Sequence, residues 1–304
     1  MILPDQTATG YLGGHMERRI LGKTGLKVSI LTFSGIVVDG VTPQKAAELT
    51  ELAVSRDINY FDIAPAYGNA QYMLGPALEP YRKDIYLACK TNKRTAEESK
   101  AELLESLTAL KTDYFDLYQF HEIGTSAQID RIFASGGAME TFEWARSEGL
   151  IKHIGFTCHH DDIAMEMFKR YSGFETILFP VNYAYRRKLG ESVEPLNHCA
   201  KHNIGVIAIK SLAERAWHDN ERDSSQSCWY RPIFDNRKLA TLALNYVLSL
   251  DGVTTCPPPG DERMLRLAFD IVRDQGDRAL PLSDPELEYL LGYADSLTES
   301  DMIF

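Results

Sequence analysis

Four side chains of the 304-residue sequence have types suited to moving a proton: Asp62, Tyr67, Lys90 and His121. A tyrosine hydroxyl ordinarily titrates near pH ~10, too high for a ready proton donor at neutrality. A neighbouring ammonium favours the phenolate and so pulls that value down. A carboxylate beside the lysine holds it charged and in place. An imidazole next to the hydroxyl orients a carbonyl oxygen or shares its proton. Together the four form a device that delivers one proton to one oxygen, with no nucleophile and no metal cluster beside it. Taken singly, each has a plainer role: a strand cap, a packed aromatic, a solvated lysine, a core histidine.

The four act together only if the chain brings them together. Near-continuous apolar runs occur at residues 28–33, 59–63, 84–89, 115–120, 151–157, 176–181, 205–209 and 252–256. Eight such runs read as parallel strands buried on both faces. Helix signals separate them. Thr42-Pro43 supplies an N-cap and a first-turn proline, and Thr95 and Glu98 have capping-box spacing. Asp161 is expected to cap a helix over 162–171, and Ser283, Pro285 and Glu286 open a C-terminal helix. Strand and helix alternating over about 250 residues predict a (β/α)8 TIM barrel. A doubly wound sheet would want G-x-G-x-x-G after its first strand, and Phe33-Ser34-Gly35-Ile36 offers none. In a barrel, reactive groups gather at the C-terminal strand ends, and the second, third and fourth runs end at Asp62, Lys90 and His121. The longest irregular stretch, 211–236, follows the seventh run and is expected to be functional.

Composition sets limits on partners and location. Lys and Arg total 32 against 43 Asp and Glu, a net charge of −11. Such a chain is a poor ligand for nucleic acid or an anionic membrane surface. Five cysteines without a C-x-x-C pair argue against a disulfide framework or zinc ribbon, and for a reduced, cytoplasmic setting. No apolar run approaches membrane-spanning length. Residues 1–15 read as a flexible tail and 16–304 as one barrel domain. Oligomeric state leaves no mark in the sequence. The adjacent His159 and His160 read as solvated loop residues rather than metal ligands, since neighbours i and i+1 point apart.

With the strand ends in place, the sequence resembles the aldo-keto reductase superfamily. The family's F-D-T-A-x-x-Y-G appears as FDIAPAYG, Ile63 replacing Thr, followed by Leu74-Gly75 with Gln71 where Glu is usual. Lys90 matches the lysine after the third strand, LYQFH the L-Y-x-x-H ending, and IKHIGFT the I-R-x-I-G-V-S strand. The resemblance implies a barrel closed at its base by an N-terminal β-hairpin, which residues 18–31 fit, and a C-terminal helical segment. It implies reduction of an aldehyde or ketone by NADPH, with NADH the alternative. Tyr67 would be the general acid, Lys90 its partner, Asp62 the anchor of Lys90, and His121 the group that positions the carbonyl. Cofactor contacts would come from Thr157 and Cys158, where the family has Ser-Asn, and from Asn182, because Phe179 stands at the usual Gln. Lys210, Ser211, Leu212 and Gly260 would follow, then Arg263, Arg266 and Asp270 around the adenosine end. Trp217 and Trp229 are candidate substrate contacts. Lys90, Lys210, Arg263 and Arg266 would have to form a positive track, with Asp261 opposing it. Two other readings remain open: a Schiff-base lyase using Lys90, and a cofactor-binding accessory or sensor protein without turnover.

Overall fold

The computed structural model describes residues 15–222 and 228–303. The tail expected over 1–15 lies outside the described residues except for exposed His15, and Met16 is already buried. The chain opens with an antiparallel hairpin, β1 (Arg18–Ile20) and β2 (Lys27–Ser29), in which Arg19 pairs with Val28. Gly22 (φ 52°) lies against β-strand backbone: a Cβ there would fall 2.1 Å from the amide nitrogen of Gly205. Only glycine permits so close an approach in that left-handed conformation.

Eight strands form one parallel sheet: β3 (Phe33–Ser34), β4 (Tyr60–Asp62), β5 (Tyr86–Thr91), β6 (Phe115–Ile123), β7 (Ile151–Cys158), β8 (Thr176–Pro180), β9 (Gly205–Ile209) and β12 (Val253–Thr255). Its edges meet. Thr32 N donates to Cys256 O at 3.2 Å and Cys256 N to Ile30 O at 2.9 Å, closing the sheet into a barrel. The run at 28–33 is therefore divided rather than one strand. Asn59 accounts for the break: its Oδ1 accepts from Ser29 N at 2.8 Å and its Nδ2 donates to Lys27 O at 2.9 Å, keeping β2 with the hairpin.

Barrel closure explains the apolar layers. Leu21 and Val28 of the hairpin pack with inward-facing Tyr60, Ala88, Leu117, Leu178 and Ile207 in one small cluster that plugs the base. The large outer core lies between the strands and the helices: α1 (Pro43–Ser55), α2 (Ala70–Leu78), α3 (Ala96–Ala109), α4 (Ser126–Phe133), α5 (Ala138–Ser147), α6 (Asp161–Arg170), α7 (Tyr183–Leu189), α8 (Val193–His202), α9 (Arg237–Leu248) and α10 (Glu262–Asp274), with α11 (Asp284–Ser296) packed on α7 and α9. Thr42 caps α1 and Thr95 caps α3, as their spacing predicts, and Ser283 and Glu286 form the capping box of α11. Asp161 does not cap. Its carboxylate accepts from Ser192 N at 2.7 Å, and the helix starts one residue early, at Asp161 itself. The stretch after β9 is not wholly irregular: β10 (Ala213–Arg215) and β11 (Arg231–Pro232) pair antiparallel within it. Among the described residues no helix is long and apolar enough to cross a membrane.

Candidate active site

Side chains alternate along a strand, so the inward register decides what the barrel mouth contains. On β4 that register runs Tyr60, Asp62. On β5 it runs Ala88, Lys90, and on β6 Leu117, Gln119, His121. Lys90 and Gln119 are direct partners across β5 and β6. Apolar residues thus fill the base and polar ones the mouth.

Lys90 is fully buried, and each of its three N–H donors has an acceptor. They reach Asp62 Oδ2 in a close ion pair, Ile63 O at 3.3 Å and Tyr67 Oη at 3.3 Å. The other Asp62 oxygen accepts from Gln119 Nε2 at 3.1 Å. Burial alone would strip the Lys90 proton, but the Asp62 carboxylate outweighs it and holds the ammonium above the usual lysine range. Burial also drives the Asp62 carboxyl upward against the pull of Lys90. For this pair the ionised form stands, because Lys90 has no neutral-amine role that its three acceptors would satisfy.

Tyr67 departs in direction from the sequence reading. Lys90 does pull its hydroxyl down, but burial pushes harder, and the net shift is upward. The group is thus held as a protonated donor. His121 lies edge-on to Tyr67, ring centroids 5.8 Å apart, and its Nδ1 is 2.8 Å from Asn92 Oδ1. Burial, then the Lys90 and Arg94 cations, keep its pKa well below the usual histidine value, so the imidazole is neutral.

A cavity of about 390 Å³ opens above these groups. Tyr67, His121, Lys210, His159, Trp229 and residues 257–260 all line it. Thr157 lines it from β7, its hydroxyl accepting from Glu122 N at 2.7 Å. Gly260 lines it as well. Lys210 reaches in from a left-handed residue (φ 65°), its ammonium 3.3 Å from His159 Nδ1 and 4.7 Å from the Trp229 ring centre. Burial pushes Lys210 down to about 7 and, with the Lys210 charge, His159 to about 4. His159 is therefore part of the cavity wall, which corrects its reading as a solvated loop residue. His160 is exposed.

Several expected cofactor contacts lie elsewhere. Cys158 and Phe179 occupy the outward register of their strands and are buried in the outer core; Cys158 Sγ faces His160 O. Leu178, not Phe179, lines the cavity. Asn182 is buried and committed to the protein. It donates to Lys210 O at 3.0 Å and Ala213 O at 2.9 Å and caps α7 by accepting from Ala184 N at 2.8 Å. It braces the backbone that carries Lys210. Ser211 and Leu212 are buried behind Lys210, outside the cavity lining. At the start of α10, Arg263 pairs with Asp261 at 2.7 Å. Arg266 pairs with Glu262 at 2.7 Å and Glu48 at 3.2 Å, and Asp270 with Arg273 at 2.7 Å. Trp217 is not in the cavity lining and donates to Cys228 O at 3.0 Å. Trp229 is in it.

Gln119 and Asn92 escaped the sequence reading. Gln119 had a signal, since it is the one amide in the inward register of an apolar strand. Asn92 sits on a loop and had none.

The donor set fits a dinucleotide. Tyr67, Lys210 and residues 257–260 line the cavity, and the chain runs from Gly260 through the N-cap Asp261 into α10, a helix N-terminus being an end that favours anions.

The model of the aldo/keto reductase family matches residues 32–259. An uncharacterized oxidoreductase of Bacillus subtilis is 31% identical over 213 residues, 66% of this chain and 66% of that one. L-Galactose dehydrogenase of Arabidopsis thaliana is 27% identical over 262 residues, 77% and 81% of the two chains. Among solved structures, an aldo-keto reductase of Bacillus halodurans in its holo form superposes with a TM-score of 0.71 at 25% identity, covering 94% of this chain and 99% of that one.

Proposed function

The chain belongs to the aldo/keto reductase family and is an oxidoreductase, and from that premise we propose that it reduces an aldehyde or ketone to an alcohol at the β4–β6 mouth. The observation that carries this reading is the Tyr67 hydroxyl, kept protonated by burial and held 3.3 Å from a lysine whose other acceptors are internal. A bound nicotinamide cofactor, NADPH in this reading, would supply the hydride to the carbonyl carbon.

Everything else is work for the protein's own groups. Tyr67 donates its proton to the carbonyl oxygen as negative charge develops there. Lys90 lies close enough to stabilise the phenolate left behind, and Asp62 with Gln119 keeps Lys90 charged and aimed. His121 positions the substrate from the opposite side of the hydroxyl. Lys210, Thr157 and Gly260 in the cavity lining, with Arg263 and Arg266 at the start of α10, would hold the cofactor. Trp229 offers an apolar wall to the substrate. A lysine fixed as an ammonium is no amine nucleophile, so the Schiff-base reading of Lys90 loses its footing.

Tyr67→Phe tests the proposal. It should keep cofactor affinity, read by quenching of tryptophan fluorescence on titration with NADPH and NADH, and lose nearly all turnover of a reactive aldehyde. Turnover surviving at a comparable rate would defeat the mechanism. A wild-type chain that binds cofactor but turns over no carbonyl would favour the accessory reading.

A further inference from the structure

Alternation along β6 brings His121 to the mouth and would turn Glu122 away from it. The pairing with β7 prevents that. Phe120 pairs with Phe156 and Ile123 with Cys158, so β6 advances three residues where β7 advances two. Phe120 and Ile123 both pack in the outer core, and the extra residue leaves His121 and Glu122, consecutive in sequence, both lining the cavity. A bulge re-aims a side chain in this way. It also gives Glu122 a left-handed backbone (φ 51°), which a non-glycine residue keeps where its neighbours over-determine it. Here the Glu122 amide donates to Thr157 Oγ1 at 2.7 Å, and Arg94 Nη2 donates to Glu122 O at 3.3 Å.

The side chain so presented is a carboxylate, and the reaction as written above does not use it. It accepts from a neutral amide, Asn92 Nδ2, at 3.3 Å. The Arg94 guanidinium is outside the cavity lining, with donors on backbone carbonyls that include Thr91 O at 3.2 Å and His121 O at 2.5 Å. Of the other charged groups in the lining, Asp62 is spent on Lys90, and Lys210 holds cofactor in the function proposed above. His121 and His159 are neutral, because burial lowers both. Burial and, in smaller part, the Asp62 and Glu122 carboxylates push the Tyr67 hydroxyl upward, so the Glu122 charge is felt at the proton donor itself.

We propose that Glu122 is a specificity-determining residue: it makes the mouth favour carbonyl compounds that carry a positive charge near the carbonyl group and disfavour those that carry a carboxylate there. A cation entering beside Tyr67 meets a carboxylate whose hydrogen bond comes from an uncharged amide. An anion meets a like charge inside a cleft, where repulsion is screened less than in water. Arg94 offsets part of the charge, so the effect is a bias between substrates rather than an absolute rule. The inference rests on the reductase reading.

Two pairs of substrates test it on the holoenzyme. Trimethylammonioacetaldehyde is compared with 3,3-dimethylbutanal, a neutral compound of the same shape, and 4-oxobutanoate with its methyl ester. Intrinsic differences in reactivity cancel when the kcat/KM ratio within each pair is compared between wild type and Glu122→Gln. The cation-to-neutral ratio should fall by about fivefold in the variant and the anion-to-neutral ratio should rise by about as much, the upper end for a partly exposed charge pair. In the wild type both ratios should move toward those of the variant as salt is raised. Isothermal titration of the NADPH-bound protein reads the charge without turnover: the preference for choline over 3,3-dimethylbutan-1-ol should fall in Glu122→Gln by the same factor. Ratios unchanged in the variant, or insensitive to salt, overturn the proposal. If no carbonyl turns over in the wild type, the reductase reading falls. The choline titration then decides alone: a weakened preference upholds the charge selection, and an unchanged one overturns it.

Discussion

The two sides of the barrel mouth keep their charges in different ways. On the β4–β6 side, Asp62, Lys90, Gln119 and His121 are all buried; Asp62 pairs with Lys90 and Gln119, and His121 with Asn92. On the α10 side, Arg263 and Arg266 stand half in solvent, each held by a carboxylate one helical turn or less away. The first arrangement is finished before any ligand arrives. The second must open: a phosphate that takes Arg266 displaces Glu262 and Glu48. Low dielectric makes the buried network strong and intolerant of loss, whereas exposed pairs trade partners at little cost. In the function proposed above, the chemistry belongs to the rigid side and the choice of cofactor to the negotiable one.

That contrast predicts effects of very different size. The largest should follow Lys90→Met. It removes the group that stabilises the Tyr67 phenolate and strands the Asp62 carboxylate in the core. Turnover should vanish, and stability should fall by about 3–5 kcal/mol, the usual cost of breaking a buried pair from one side. Denaturant unfolding would show it. The double variant Lys90→Met with Asp62→Leu should recover most of the stability and none of the activity. If the single variant unfolds like the wild type, the mouth is not the preorganised region described here.

An intermediate effect belongs to Lys210, which lies between the two sides. Its pKa near 7 makes it an ammonium below that pH and a neutral amine above it. A phosphate favours the charged form. Cofactor affinity should therefore be full below about pH 7 and weaken as pH rises above it, by about tenfold for one charge-assisted contact. Isothermal titration across pH 6–9 in wild type and Lys210→Met would decide, since the slope should disappear in the variant. A slope that persists there assigns the titration to another group.

The smallest effect should come from Glu262→Gln, which removes one of the two carboxylates that hold Arg266 away from a 2′-phosphate. The NADPH to NADH affinity ratio should rise by about twofold to threefold, in keeping with exposed ion pairs. An unchanged ratio would mean that Arg266 never meets the cofactor.

How much could be read in advance follows the same divide. Asp62, Lys90 and His121 were legible because each ends an apolar run, and parallel strands place such ends side by side. The caps of α1, α3 and α11 were legible because cap chemistry is local, whereas the hairpin came from the family resemblance. The strand at 28–33 was misread as continuous, since the break depends on Asn59, thirty residues away in sequence from Ser29. Cys158 was placed by analogy among ligand contacts, yet the pleat turns it outward. No local pattern marks Asn92, whose partners His121 and Glu122 come from the next strand.

The positive track expected from Lys90, Lys210, Arg263 and Arg266 shows the limit most clearly. Residue types and spacing were enough to predict a barrel, its order of elements and four residues that the fold brings to one mouth, because alternation and capping act over a few residues. Whether each charge is spent on its own carboxylate and whether Tyr67 is pushed up or pulled down were decided only by the folded chain. Burial and long-range partners set desolvation and hydrogen bonding, and both are properties of neighbours in space.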